Sequence, residues 1–112
     1  MECRIFNRDE LLPNYKAFDL EGRPVSLWDF RQKSHLALIH EPAGSDWTAA
    51  VRKDPKKWEA LVVQFLTASE GTVAEGAHVI DRYGRLVRSY PPGQWTLEEI
   101  EKDIIYHEAC NC

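Results

Sequence analysis

The chain ends in Cys110-Asn111-Cys112, with His107 three residues before the first thiol. Two thiols so close in sequence can close a small disulfide that is reduced more readily than a relaxed structural one, which suits thiol-disulfide exchange. His107, Cys110 and Cys112 also offer one nitrogen and two sulfurs to zinc or cuprous copper, with Cys3, Glu108 or His78 as the source of a fourth ligand. The plainer alternative is a pair of exposed cysteines on a frayed terminus. A second group sits at His40-Glu41-Pro42-Ala43-Gly44-Ser45-Asp46. Ser45 as nucleophile, His40 as base and Glu41 or Asp46 as the orienting acid would make a hydrolytic triad. No nucleophile-elbow pattern surrounds Ser45, however, and Ser45 and Asp46 are ordinary helix-capping residues. Backbone amides at a helix start there can also hold an anion.

Elements of a compact α/β chain must position these groups. Gly22-Arg23 breaks the chain after Phe18 and Leu20, and Val25 and Leu27 then alternate as in a half-buried strand. Ser26 and Asp29 can cap a single helical turn. Leu36-Ala37-Leu38-Ile39 is the short continuous apolar run that a strand buried on both faces needs. Asp46 can cap a helix from Trp47, with Ala50 and Val51 inward, and Pro55 ends it near Asp54. Beyond Pro55 two patterns compete. Trp58, Leu61, Val62, Phe65 and Leu66 fall at helical spacing after a good Asp54-Pro55 start. Leu61 to Thr67 is instead rich in β-branched and aromatic residues, and a strand there completes a strand-helix-strand unit with Leu36 to Ile39, so the strand is favoured. Thr96 with Glu99 forms a capping box, Trp95 can staple onto Ile100, and a helix from Leu97 buries Leu97, Ile100 and Ile104 with Ile105 beside them. Glu98 and Lys102 lie outside that stripe.

Length and charge narrow the function classes. The 112 residues carry a formal net charge of -4 with scattered basic residues, which argues against nucleic-acid binding and a polybasic membrane patch. One domain over residues 1–112 is expected, large enough for its own core. The N-terminus is too charged for a secretory signal and no apolar run has the length of a membrane span, so a cytoplasmic location is expected. Three cysteines at the chain ends make no secreted disulfide framework. His35 and His78 are expected as hydrogen-bonded packing residues, Cys3 as a small apolar filler, and Trp28, Trp47, Trp58 and Trp95 as edges of the core.

The run from Asp19 to Pro42, with Gly22, Val25-Ser26-Leu27 and Trp28-Asp29-Phe30-Arg31 before the apolar strand, resembles the redoxins of the thioredoxin-like superfamily, the alkyl hydroperoxide reductase and thiol-specific antioxidant group. Ala77 to Tyr90 is similar to that group's late hairpin: an apolar strand ending in Ile80-Asp81, a turn with Gly84, then a second strand. Together the two blocks cover roughly half of the chain. The resemblance implies an α/β, thioredoxin-like fold, a small mixed sheet with flanking helices, shortened in the middle where Ser69 to Gly76 replaces a helix. It further implies a nucleophilic cysteine in the loop after the first core strand, at the start of the next helix. Here that loop is Ala43-Gly44-Ser45-Asp46-Trp47 and holds no thiol, and Glu75-Gly76-Ala77 replaces the proline usual before the late strand. The tail is similar to the Cys-Pro-Glu-Cys type pair that ends the last helix of some redoxin-like sequences, with different spacing. A degenerate redoxin is therefore expected. It would exchange thiols through Cys110 and Cys112 with a protein disulfide partner, or keep the fold as a non-catalytic protein-binding module. No cofactor is expected, and apolar surface left uncovered would favour a homodimer.

Overall fold

A computed structural model describes residues 8–41, 47–69 and 72–110 of the chain. The first hairpin pairs β1 (Lys16–Phe18) with β2 (Pro24–Ser26). Asp19 closes its turn, accepting the backbone N–H groups of Glu21 and Arg23 at 2.9 Å each and the Arg23 Nε at 2.9 Å. The Arg23 backbone N–H is the main cause of a lowered Asp19 pKa. β2 stops at Ser26, so Leu27 is not a strand residue: it enters a short 3-10 turn (Leu27–Phe30) and buries its side chain there. The Ser26 N–H donates to Asp29 Oδ2 at 3.1 Å, linking the two residues expected to cap that turn.

β3 (His35–His40) is the central strand, one residue longer at each end than its apolar run. Its sides face two different cores, which is why the run is continuous: Ala37 and Ile39 pack with the helices, while Leu36 and Leu38 pack with Leu12, Leu27, Leu66 and Ile80. The competing patterns after Pro55 are both used, in succession. α2 (Pro55–Ala60) buries Trp58, and β4 (Val63–Ala68) buries Val63, Phe65 and Leu66. Leu61 and Val62 form the turn between them, Val62 at φ 56°, a left-handed backbone that stops the helix. Trp58 then meets Phe65 edge to face, with ring centroids 4.9 Å apart.

β4 lies parallel to β3 on one side, and β5 (Gly76–Ile80) lies antiparallel on the other. With β6 (Leu86–Tyr90) the sheet runs in the order β2-β1-β4-β3-β5-β6. α1 (Trp47–Lys53), α2 and α3 (Leu97–Cys110) contribute Val51, Trp58, Ile100 and Ile104 to one core. The second core includes no residue of these helices; Leu12, Leu27 and the fully buried Val73 fill it from loops and the 3-10 turn. Val73 belongs to the segment expected in place of a helix, and its burial shows how a short loop closes that face.

Ala50, expected inward, is exposed on α1. Ile105, expected beside the buried stripe of α3, is 49% exposed, because the stripe follows Ile100 and Ile104 at i,i+4 and leaves position 105 a further 100° around the helix. Half of the expected capping box at the start of α3 is seen: the Glu99 N–H donates to Thr96 Oγ1 at 3.1 Å, while the Glu99 carboxylate accepts the Thr96 hydroxyl at 3.3 Å. Among the described residues no helix is long and apolar enough to cross a membrane.

Candidate functional site

Two clusters of polar side chains lie at opposite ends of β3. At its C-terminal end, His40 Nδ1 donates to the Val73 carbonyl at 2.8 Å. Glu41 turns the other way: its Oε1 accepts the Gly93 N–H at 3.0 Å and the indole N–H of Trp95. A triad would need an acid on His40 Nδ1. That nitrogen is committed to a backbone carbonyl and Glu41 to Trp95, so Glu41 does not orient His40. Ser45 and Asp46, the other members of that arrangement, lie outside the described residues. Trp47 stands beside Trp95, ring centroids 6.4 Å apart, over a pocket of about 220 Å³ that Glu41, Gly93, Thr96 and Leu97 also line.

β5 begins next to this end. Gly76 pairs with His40 and has φ 126°; a Cβ on it would lie 1.9 Å from the Tyr90 carbonyl oxygen. Glycine thus stands where the resemblance leads one to look for proline, and the described residues contain no cis peptide bond. Two residues on, His78 is buried, with Nε2 donating to the Ala74 carbonyl at 2.7 Å and Nδ1 2.8 Å from Ser89 Oγ. Both ring nitrogens are occupied, so His78 is a packing residue and supplies no fourth ligand to the tail.

The N-terminal end of β3 holds the second cluster. Asp81, buried in the β5–β6 turn, accepts the N–H groups of Tyr83 at 2.9 Å and Arg85 at 3.0 Å through Oδ1. Its Oδ2 lies 3.3 Å from His107 Nε2 on α3, at ion-pair distance but off hydrogen-bond alignment. The His107 ring stands perpendicular to buried His35, centroids 6.3 Å apart, and an Arg82 guanidinium nitrogen lies 3.5 Å from His35 Nε2. On α3 itself, Asp103 Oδ2 accepts the Tyr90 hydroxyl at 2.5 Å, and Oδ1 is 3.6 Å from Arg88. Burial first, and then the Asp103 carboxylate, push the Tyr90 hydroxyl far up, so it stays a donor.

No family model matches the chain, and no curated protein does. Solved structures do. The mitochondrial 2-Cys peroxiredoxin of Plasmodium falciparum is similar over 96% of this chain and 98% of that one, with a TM-score of 0.64 at 11% identity. The peroxidoxin BcpB of Mycobacterium tuberculosis gives 0.62 at 10% identity over 92% and 97% of the two chains. The thioredoxin domain of a thiol-disulfide oxidoreductase from Bacteroides vulgatus gives 0.52 at 13% identity over 94% and 97%. The fold is thioredoxin-like.

In this thioredoxin-like chain the described members of the two groups lie at opposite ends of β3, His40 and Glu41 at one and His107 at the other. α3 starts beside Trp95 and Glu41 and ends beside Asp81 and His35, so it carries the chain from one end of β3 to the other, about 20 Å at 1.5 Å per residue. Cys110 is the last residue of α3, one turn beyond His107. Its side chain, Cys112 and Cys3 lie outside the described residues, as do Ala43 to Asp46 of the loop without a thiol. Among the described residues no group of three His, Cys, Asp or Glu side chains could hold a metal ion. The residues that sequence reasoning missed are Asp81, which partners His107, and Trp95, which fixes Glu41. Ile80-Asp81 before the turn was visible as a hairpin signal, but nothing in the spacing told of a helix residue 26 positions later.

Burial pushes His78 below its ordinary value of 6.5, with His40 acting in the same direction and the Ala74 carbonyl opposing both. Below about pH 6.5 the unfolded chain then takes up a proton here before the folded one does, and stability falls with pH. Urea midpoints at pH 7.5, 6.5 and 5.5 should decline more steeply for the native chain than for His78→Asn, by up to about 1 kcal/mol per pH unit. Equal slopes would show that His78 is protonated alike in both states.

Proposed function

We propose that this thioredoxin-like chain is a thiol-disulfide exchange protein acting through Cys110 and Cys112. The observation that supports it is the seating of α3: Ile100 and Ile104 are buried, Asp103 holds Tyr90, and His107 lies against Asp81, so the helix is held as far as His107, three residues before Cys110. The Cys110 thiolate attacks one sulfur of a partner disulfide, forming a mixed disulfide and expelling the partner's other sulfur as thiolate. Cys112, as thiolate, then attacks Cys110 Sγ, closing the Cys110–Cys112 disulfide and releasing the second partner thiolate. The partner is reduced by two electrons and the pair is oxidised by two. A helix C-terminus disfavours thiolate, and His107, the basic residue of the last turn, offsets this when protonated. The partner is a protein disulfide, and the exposed Ile105 and Tyr106 beside the tail offer apolar surface for it or for a second copy of the chain.

The test is equilibration in glutathione buffers of graded ratio, followed by acid trapping, with metal content measured on the same sample. A reversible Cys110–Cys112 couple near cytosolic poise is expected, and in Cys110→Ser exchange with a model disulfide should fall to the uncatalysed rate. Inert thiols in the native chain would overturn the reading, and stoichiometric zinc would move the tail to metal binding. A second reading, a non-catalytic binding module, is favoured by the aromatic pocket between Glu41 and Trp95 at the end of the sheet where the redoxin resemblance places the thiol.

A further inference from the structure

We infer that the pocket between the end of β3 and the start of α3 binds a methylated ammonium group, independently of the terminal thiols. Glu41 reaches it, and Trp47, Trp95 and Leu97 supply apolar wall. The two indoles meet edge to face, inclined at 62°. The Gly93 N–H and the Trp95 indole N–H both hold Oε1 of Glu41, which fixes the carboxylate in place. Glu41 is half-buried, yet among the described residues no lysine, arginine or histidine forms an ion pair with it. A half-buried carboxylate without a counter-charge is unfavourable, and a bound cation relieves that cost.

The other tryptophans sharpen the contrast. Arg31 lies 5.0 Å from the ring centroid of Trp28, and Lys57 lies 5.3 Å from that of Trp58. Trp47 and Trp95, beside the fixed carboxylate, have no cation of the described residues over them. A cation with an apolar surface gains twice: an indole π system attracts it and the carboxylate neutralises it. A hard metal ion would find one carboxylate among carbon walls, too few oxygens for its shell. The volume of about 220 Å³ admits a small head group but is below the roughly 300 Å³ at which drug-sized pockets begin.

Calorimetric titration of the full chain with choline, against its neutral isostere 3,3-dimethylbutan-1-ol, tests the inference. Choline should bind at least about tenfold more tightly than the alcohol, and Glu41→Gln, whose amide oxygen still accepts both N–H groups, should reduce that difference. A parallel titration with Nε-trimethyllysine distinguishes a protein-borne group from a free small molecule; tighter binding of either cation than of the alcohol supports the site. Choline and trimethyllysine binding no more tightly than the alcohol to the native chain would overturn it, whether or not the Glu41→Gln chain folds. The Trp95 indole N–H resonance should move on saturation, and a resonance that stays still while heat is released would place the ligand elsewhere and overturn it too.

Discussion

Gly76→Ala is expected to cost about 3–5 kcal/mol of stability, a large share of the whole for a chain of this size. Two costs coincide. At φ 126° the backbone of Gly76 lies where side chains are rarely tolerated, and the new Cβ would stand 1.9 Å from the Tyr90 carbonyl oxygen, 3.1 Å from its carbon and 3.3 Å from the Pro91 carbonyl carbon. All three are backbone atoms at the end of β6, so relief requires β5 and β6 to part. Because Gly76 also pairs with His40, the disturbance reaches the end of β3 that carries Glu41. Gly22→Ala is the control: φ is 82° there, but nothing lies within 4 Å of the added carbon, and about 1 kcal/mol is expected. Urea denaturation followed by tryptophan fluorescence measures both. Equal losses in the two variants would mean that the close approach of Gly76 to Tyr90 carries no weight.

Ile100→Ala should cost about 2–5 kcal/mol, whereas Ile105→Ala should stay within about 0.5 kcal/mol of the native chain. Ile100 is fully buried in the core formed by Ala37, Ile39, Val79 and Tyr90, while Ile105 is 49% exposed. Removing the Ile100 side chain leaves a cavity between sheet and helix in the first half of α3, and the same helix holds Asp103 to Tyr90 and His107 to Asp81. Thermal unfolding by circular dichroism distinguishes the two variants. A large loss in Ile105→Ala would place that residue against a covering surface, such as a second copy of the chain.

Much of the architecture was legible because local signals agreed with one another. Leu36 to Ile39 had to be a strand buried on both faces, the Thr96–Glu99 capping box marked the start of α3 to the residue, and Pro55 separated α1 from α2. The stretch after Pro55 was ambiguous because a buried helix and a buried strand want the same residue types. Six residues are helix and six are strand, and the positive φ of Val62 makes the junction. How far Ile105, beside the stripe, would be covered was open for a related reason: adjacent apolar residues on a helix lie 100° apart, and the sequence does not say which edge of the stripe the sheet covers.

The site was less legible, since it is made of pairs that the fold brings together. Residue types alone determined that the loop from Ala43 to Trp47 offers no thiol, and that the thiols are Cys3, Cys110 and Cys112. They also determined that the hairpin turn would carry Asp81. Only the tertiary structure decided that α3 runs the length of β3, so that the tail follows from the end opposite Glu41 and Trp95. The physical reason is range. Capping, alternation and helical spacing act over a few residues and are written in the order of the chain. The Asp81–His107 and Glu41–Trp95 contacts join residues 26 and 54 positions apart, and are fixed by which faces of sheet and helix bury together.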